Sequence, residues 1–516
     1  MMAALATTVM TVGELLGAVP PDVGGIQITD LVSDSRQVQP GAAFVAVSGE
    51  RSHGLDYAEE AIRKGAVVVL FEPESQTGPE KERLGTRRAP LAANPASGVE
   101  ESTVPRLAVP DLSVRLGELA RRFYRLGEQG PRLAGFTGTN GKSTVAYLVA
   151  QAQTLRGYPC AYVGTIGAGV PPTLTTQTLT TPDCLSLHRT LASFETDFAA
   201  TEVSSHALAQ DRVAGLTFDT AVFTNLTRDH LDYHADVAEY QAAKARLFTL
   251  HGLRHAVVFV DDPFGETLAR GLADSIERID VSLASDRGIR GTLTASGLQG
   301  VTIEISGALV DEVRGTGVIT SPLIGDFNAE NLVLALGVLL TWNVPVDEAC
   351  EVLSRCQPPP GRMEILGGVS DQPTVVVDYA HTPAGLERVL SNLRNLVGAD
   401  LWCVFGCGGE RDTGKRPLMG AVAARFADHI VLTDDNPRGE DPGEIIAAIR
   451  AAIIDHPNVW IEHDRARAIQ DAVLKAGAGD IVLVAGKGHE AWQWVAGESH
   501  PFSDRAVVKA ALGGQA

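Results

Sequence analysis

The segment GFTGTNGKST, residues 135 to 144, sets a lysine and two hydroxyls behind glycine turns where a short apolar strand, RLAGF, gives way to the amphipathic helical run STVAYLVAQAQTL. Backbone amides of such a turn, with the first turn of a helix, form a cradle for phosphate oxygens. Gly138, Thr139, Asn140, Gly141 and Thr144 would shape it, Lys142 would neutralise the terminal phosphates, and the Ser143 hydroxyl would hold Mg²⁺. The strict pattern G-x-x-x-x-G-K-[ST] asks for glycine where Phe136 stands. A glycine turn that binds nothing is the plainer alternative, and the strand-turn-helix context favours the phosphate reading over it.

Phosphoryl transfer needs metal-holding groups beyond the loop. Glu202, closing DFAATEVSSH, and His230, in TNLTRDHLDYH, both follow apolar strands expected to neighbour the loop. His230 and His234 have the i, i+4 spacing of a zinc-protease helix, but that motif requires glutamate where Leu231 stands. His234 alone reads as a hydrogen-bonded or solvated histidine. The cysteines (Cys160, Cys184, Cys350, Cys356, Cys403, Cys407) have no paired CxxC spacing, so buried reduced thiols are expected rather than a zinc site or disulfides.

These residues need a scaffold, and the chain is long enough to build several. At 516 residues it calls for roughly three domains. Apolar residues at 45% and charged residues at 21% are the balance of a globular protein, and a net charge of -20 without any Lys/Arg run argues against nucleic acid as a partner. The opening MMAALATTVM lacks the basic flank and long apolar core of a signal peptide, and no stretch of about 18 apolar residues reads as a membrane span, so a cytoplasmic location is expected.

Residues 26 to 71 read as a small α/β unit, followed at 73 to 103 by a stretch rich in Pro, Gly and charge that reads as a loop insertion. From Asp111 the amphipathic LSVRLGELARRFYRLG leads into strands that alternate with helices, the pattern of an open, mostly parallel sheet, while residues 291 to 325 read as an antiparallel addition. After PPPGRME a third α/β segment carries the strands PTVVVDYAH, LWCVFGCGGERD, HIVLTDDNPRGED and DIVLVAGKGHE. Each runs into a Gly- or charge-rich loop, and ligands sit outside the carboxyl ends of such strands. The expected fold is α/β throughout, with bounds at 1–109, 110–356 and 357–516, the central part a phosphate-loop open sheet and the last part Rossmann-like.

GTNGKST, TTPD at 180 to 183, EVSSHALAQDR, TNLTRDHLDYH, GDFNAEN, GRME, DYAHTP, GERDTGKRP, DDNPR and GKGHE occur in the order found in the Mur ligase family, and the resemblance spans essentially the whole chain. Its closest fit is the family's diaminopimelate-adding member. The resemblance implies an ATP-dependent amide ligase: a carboxylate is phosphorylated by ATP and an amine then attacks the acyl phosphate. It implies small-molecule substrates only (ATP, UDP-N-acetylmuramoyl-L-alanyl-D-glutamate and meso-diaminopimelate) and a monomer. It further implies that Lys244, in YQAAKARLF, reacts with carbon dioxide to form a carbamate. Without the resemblance Lys244 would read as a solvated helix lysine.

By the same matching, Ser143 and Glu202 resemble ligands of one Mg²⁺, and Glu202, His230 and carbamylated Lys244 those of a second. Asn328, Asn331, Arg362 and Asp378 match positions near ATP, although asparagine at a helix start is usually just a cap. Ser33, Ser35, Glu50, Arg51 and Ser52 match the uridine-diphosphate side of the substrate site, with residue types at 50 to 52 that differ from the family's. Thr180, Thr181, Ser204, Gln210 and Arg212 match its muramoyl-peptide side. Arg411, Asp435, Asn436, Pro437, Arg438, Gly486 and Glu490 match the amino-acid site. Diaminopimelate differs from lysine by one carboxylate, which the planar two-pronged Arg438 suits, and Glu490 is expected to face an ammonium. Three rival readings are a lysine-adding ligase, a folylpolyglutamate synthase, and a non-catalytic protein that only binds the precursor.

Overall fold

The computed structural model describes residues 8–49, 52–73, 104–126, 130–230, 233–307, 317–369 and 371–513. Glu50, Arg51 and nearly all of the 73–103 insertion lie outside the described residues. The chain divides into two compact units, one made of residues 1–130, 182–195 and 211–216, the other of 131–181, 196–210 and 217–516.

In the first unit the strands Asp30–Val32, Ala42–Ala46, Val68–Phe71 and Arg106–Ala108 form one parallel sheet in that order. The central strand Ala42–Ala46 is buried along its whole length, as a strand covered on both faces must be. Arg106–Ala108 was not expected; with three residues and a single apolar centre it has too little period to announce itself.

The second unit holds an 11-stranded sheet. Its parallel part runs from Cys160–Gly164 through Phe198–Glu202, Arg132–Thr137, Thr220–Phe223, His255–Phe259 and Glu277–Ser282 to Ile289–Gly297. The antiparallel addition expected at 291 to 325 is present as Ile289–Gly297, Gly300–Ser306 and Gly317–Ser321. The helix Lys142–Leu155 corrects one expectation: it is not amphipathic but buried from Ser143 to Ala150 without a break. It lies between the sheet and the equally buried helix Phe327–Thr341, so only its ends, chiefly Leu155, reach water.

The same unit carries a six-stranded sheet in the order Glu364–Gly367, Thr374–Asp378, Ile481–Ala485, Leu401–Phe405, His429–Leu432 and Val459–Ile461, parallel except for its first strand. Helices Pro383–Leu396, Lys415–Phe426 and Pro442–Arg450 contribute to one core beside it, and Arg465–Lys475 and Asp504–Ala511 to another. Two cores on one sheet make it doubly wound, the Rossmann-like arrangement expected. A hairpin, Trp492–Val495 with Glu498–Pro501, follows GKGHE and was not foreseen. All the cysteines are buried and free, as expected. No helix among the described residues is long and apolar enough to cross a membrane.

Candidate active site

Strand Arg132–Thr137 ends at the phosphate loop, and helix Lys142–Leu155 begins it from the other side. Gly138 has φ +145°, and a Cβ there would lie 1.9 Å from Thr224 Oγ1, so only glycine fits. The turn after the neighbouring strand Thr220–Phe223 grips the loop from outside. Thr224 Oγ1 donates to the Asn140 carbonyl at 2.6 Å, Asn225 Nδ2 to the same oxygen at 3.2 Å, and the Asn140 amide to Asn225 Oδ1 at 3.0 Å. Thr139 Oγ1 accepts from the Thr227 amide at 2.9 Å.

Cations converge on this loop. Lys142 Nζ donates to the Gly138 and Thr139 carbonyls at 3.0 Å each. Lys244 is not a solvated helix lysine: it is 1% exposed, and its Nζ donates to the Gly138 carbonyl at 2.7 Å above the Tyr240 ring. Burial, and then the neighbouring Lys142 charge, hold its ammonium well below the usual lysine range. Burial lowers Lys142 as well, against the pull of Glu202 and Asp229. Arg362 Nη2 donates to Ser143 Oγ at 3.1 Å, and its guanidinium lies over the Tyr379 ring at 4.4 Å. Asp378 accepts from the Met363 and Ala380 amides at 2.8 Å each and thereby fixes the turn that aims Arg362. Asn331 Nδ2 donates to Asn328 Oδ1 at 2.8 Å, and Asn328 Nδ2 to the Ile324 carbonyl at 2.7 Å, so the two are tied to each other and neither is the helix cap, a position held by Asp326.

Glu202 is fully buried; it accepts from the Tyr162 hydroxyl at 2.5 Å, the Thr165 amide at 2.8 Å and the Thr165 hydroxyl at 3.1 Å. His230 sits at φ 53° outside any helix, so the helical geometry of a zinc-protease pair is absent. Burial lowers its ring to about 4, against the Asp229 carboxylate, so the ring is neutral at neutral pH. Among the described residues no group of three or more His, Cys, Asp or Glu gathers for a metal. The groups at the loop are instead a hydroxyl, Ser143, and a carboxylate, Glu202; hard oxygen donors of that kind fit Mg²⁺ completed by phosphate and water. Asp229, within electrostatic reach of His230, His381 and Lys142, was missed in the sequence. It stands beside His230 in TNLTRDHLDYH, where an aspartate carries no spacing signal of its own.

The matched muramoyl-peptide residues are largely engaged locally. Thr180 Oγ1 pairs with Thr165 Oγ1 at 3.0 Å, Thr181 Oγ1 donates to the Glu202 carbonyl at 2.8 Å, and Ser204 Oγ caps Ser205–Ala209 through the Ala207 amide at 3.1 Å. Gln210 donates to the Tyr233 hydroxyl at 3.1 Å. Gln210 belongs to the second unit and Arg212 to the first. In the first unit Ser35 Oγ donates to Glu60 at 2.7 Å, Ser52 pairs with the Tyr57 hydroxyl at 3.3 Å, and Ser33 is partly exposed.

The residues matched to the amino-acid site, Arg411 apart, follow the carboxyl ends of His429–Leu432 and Ile481–Ala485. Gly486 has φ +115°, and a Cβ there would lie 2.5 Å from Asp435 Oδ2. Arg438 Nη1 donates to the Gly409 carbonyl at 2.6 Å, while its own amide donates to the Trp494 carbonyl at 3.0 Å, so the unforeseen hairpin holds the motif. The Pro437 carbonyl packs against Gly409, and Arg411 is exposed. The Glu490 carboxylate, expected to face a substrate ammonium, accepts here from the protein's own Lys487 Nζ at 2.8 Å. Lys487 was passed over in the sequence, although it stands inside GKGHE.

A glycine loop closed over a buried helix start, with lysines and an arginine turned onto it, defines an α/β protein built to grip a polyphosphate, with a second, doubly wound sheet beside it. Three family descriptions match in order: "Mur ligase family, catalytic domain" over residues 27–124, "Mur ligase middle domain" over 136–339, and "Mur ligase, glutamate ligase domain" over 361–488. The chain is 46% identical over 503 residues, 95% of itself and 96% of the relative, to a Xanthomonas campestris protein named UDP-N-acetylmuramoyl-L-alanyl-D-glutamate--2,6-diaminopimelate ligase. It is 44% identical to one of the same name from Alkalilimnicola ehrlichii, with 95% of each chain covered. A solved structure of a ligase of that name superposes with a TM-score of 0.65 at 34% identity, covering 98% of this chain and 99% of its own. The chain belongs to the Mur ligase family.

Proposed function

We propose that this protein is the ATP-dependent ligase that joins meso-diaminopimelate to UDP-N-acetylmuramoyl-L-alanyl-D-glutamate in peptidoglycan precursor synthesis. The observation that carries it is the conjunction of the cation-lined phosphate loop with Arg438 and Glu490 at the neighbouring sheet, in a chain 46% identical to a ligase of that name. The γ-phosphoryl group of ATP passes to the D-glutamyl γ-carboxylate, giving an acyl phosphate and ADP. An amine of diaminopimelate attacks the acyl carbon; the C–N bond forms, phosphate leaves, and the amine gives up its proton.

Lys142 and Arg362 offset charge where two anions meet, and the rigid loop sets the phosphates in line. Mg²⁺ held by Ser143 and Glu202, with a second site at Glu202, His230 and carbamylated Lys244, supplies further charge neutralisation when bound. Burial and the neighbouring Lys142 charge lower the Lys244 ammonium, which favours the unprotonated amine that capture of carbon dioxide requires. Asn328, Asn331 and Asp378 serve the nucleotide. Ser33, Ser35, Glu50, Arg51, Ser52, Thr180, Thr181, Ser204, Gln210 and Arg212 serve the UDP-sugar peptide, and Arg411, Asp435, Asn436, Pro437, Arg438, Gly486 and Glu490 the amino acid. The domains fall at 1–109, 110–356 and 357–516, and the enzyme acts as a cytoplasmic monomer without nucleic-acid partners.

ADP release from the purified enzyme decides the matter. It should require both the muramoyl dipeptide and meso-diaminopimelate, with L-lysine a poor replacement; equal turnover with lysine would transfer the assignment to a lysine-adding ligase, and no ADP release would leave only a precursor-binding protein. In Lys244→Ala, activity should be lost with nucleotide binding kept, and full activity would exclude the carbamate.

A further inference from the structure

The cation of the GKGHE turn has no part in the chemistry above, yet it occupies the most protected place beside the amino-acid residues. The Lys487 side chain is 0% exposed. Burying an ammonium is unfavourable unless the groups around it are held to it by good bonds. Those groups are side chains of the proposed amino-acid site: Nζ donates to Asn436 Oδ1 at 3.0 Å and to Glu490 Oε2 at 2.8 Å. Asn436 Nδ2 donates to the same Glu490 oxygen at 3.0 Å, closing a triangle. Asn436 Oδ1 also accepts from the Trp494 amide at 3.0 Å, which ties the triangle to the hairpin that holds Arg438.

The consequence concerns Glu490. Both bonds from Lys487 and Asn436 fall on Oε2, while the side chain as a whole remains 31% exposed. Two donors from two different turns, converging on one oxygen, restrict the carboxylate's motion and leave its other oxygen clear of those bonds. We propose that Lys487 is a positioning residue for the incoming amino acid: it locks the DDNPR turn to the GKGHE turn and fixes the Glu490 carboxylate so that Oε1 receives the substrate ammonium. The inference rests on the assignment of Arg438 and Glu490 to the amino acid. A lysine that merely staples two turns together would affect stability and every substrate alike.

Steady-state kinetics on the full chain separates the two roles. Lys487→Met should raise KM for meso-diaminopimelate about tenfold or more, with KM for ATP within about twofold of the parent. Because the residue acts through Glu490, the same change made in a Glu490→Gln background should add little. Lys487→Gln keeps an N–H donor of shorter reach, should recover part of the loss, and carries the test alone if the methionine variant does not fold. An unchanged KM for the amino acid, an equal rise for both substrates, or full additivity with Glu490→Gln would each overturn the proposal. If Arg438→Ala and Glu490→Gln themselves leave that KM unchanged, the underlying site assignment fails instead.

Discussion

The phosphate loop and the amino-acid turn both sit at the carboxyl ends of parallel strands, yet they are held by different means. Around the phosphate loop the lysines and the two braces from the next strand end on main-chain carbonyls: Lys142 and Lys244 on Gly138, Thr224 and Asn225 on Asn140. Around DDNPR main-chain bonds are joined by a network from side chain to side chain, through Lys487, Asn436 and Glu490, with the Arg465–Asp504 ion pair buried beneath. A loop held by its backbone has a shape set by glycine dihedrals, and any residue offering a donor can brace it. A turn wired by ionic side chains depends on each member, because removing one leaves the others buried and unpaired.

The contrast can be broken from either side. Lys142→Ala should lower ADP release by about a hundred- to a thousandfold, the loss expected when a charge aimed at a developing anion is removed. Retention of near-parental turnover would mean that the loop is a structural turn. Asp504→Asn should cost about 3 kcal/mol, since it strands Arg465, which also donates to the Ala485 carbonyl at 2.9 Å, in a site with no exposure on either side chain. A shift in the urea midpoint no larger than that of a surface substitution would show that the wiring under DDNPR is dispensable. Arg438→Ala should raise KM for meso-diaminopimelate about tenfold while sparing ATP, because it removes one charged hydrogen-bonding partner of a carboxylate. Equal effects on both substrates would remove the specificity argument.

The same contrast explains what the sequence could reveal. Glycine spacing is a local pattern, so GTNGKST announces the phosphate loop, and the carboxyl-end rule places DYAHTP, DDNPR and GKGHE at the mouths of their strands. Lys487 with Asn436, and Arg465 with Asp504, are pairings across 51 and 39 residues with no local signature. The hairpin at 492 to 501 was missed because Trp492 and Trp494 alternate over only four residues, and nothing local says that its backbone will meet Arg438. The burial of Lys244 was invisible for a related reason: its helix, Val237–Ala245, has charged neighbours on either side in the chain, and only the fold turns that one lysine inward onto Gly138.

The smallest effect is expected where the phosphate loop is braced twice. Thr224→Val removes the 2.6 Å bond to the Asn140 carbonyl, but Asn225 Nδ2 still donates to that oxygen at 3.2 Å, so no buried acceptor is orphaned. A hydrogen bond whose acceptor keeps another partner is worth about 1 kcal/mol, so KM for ATP should rise by about fivefold and turnover at saturating ATP should hold. Adding Asn225→Ala takes the second donor as well, together with the Oδ1 that accepts from the Asn140 amide, and the double variant should lose more than the sum of the singles. Simple additivity would mean that the two braces act independently, and that the phosphate loop is wired group by group, as the amino-acid turn is.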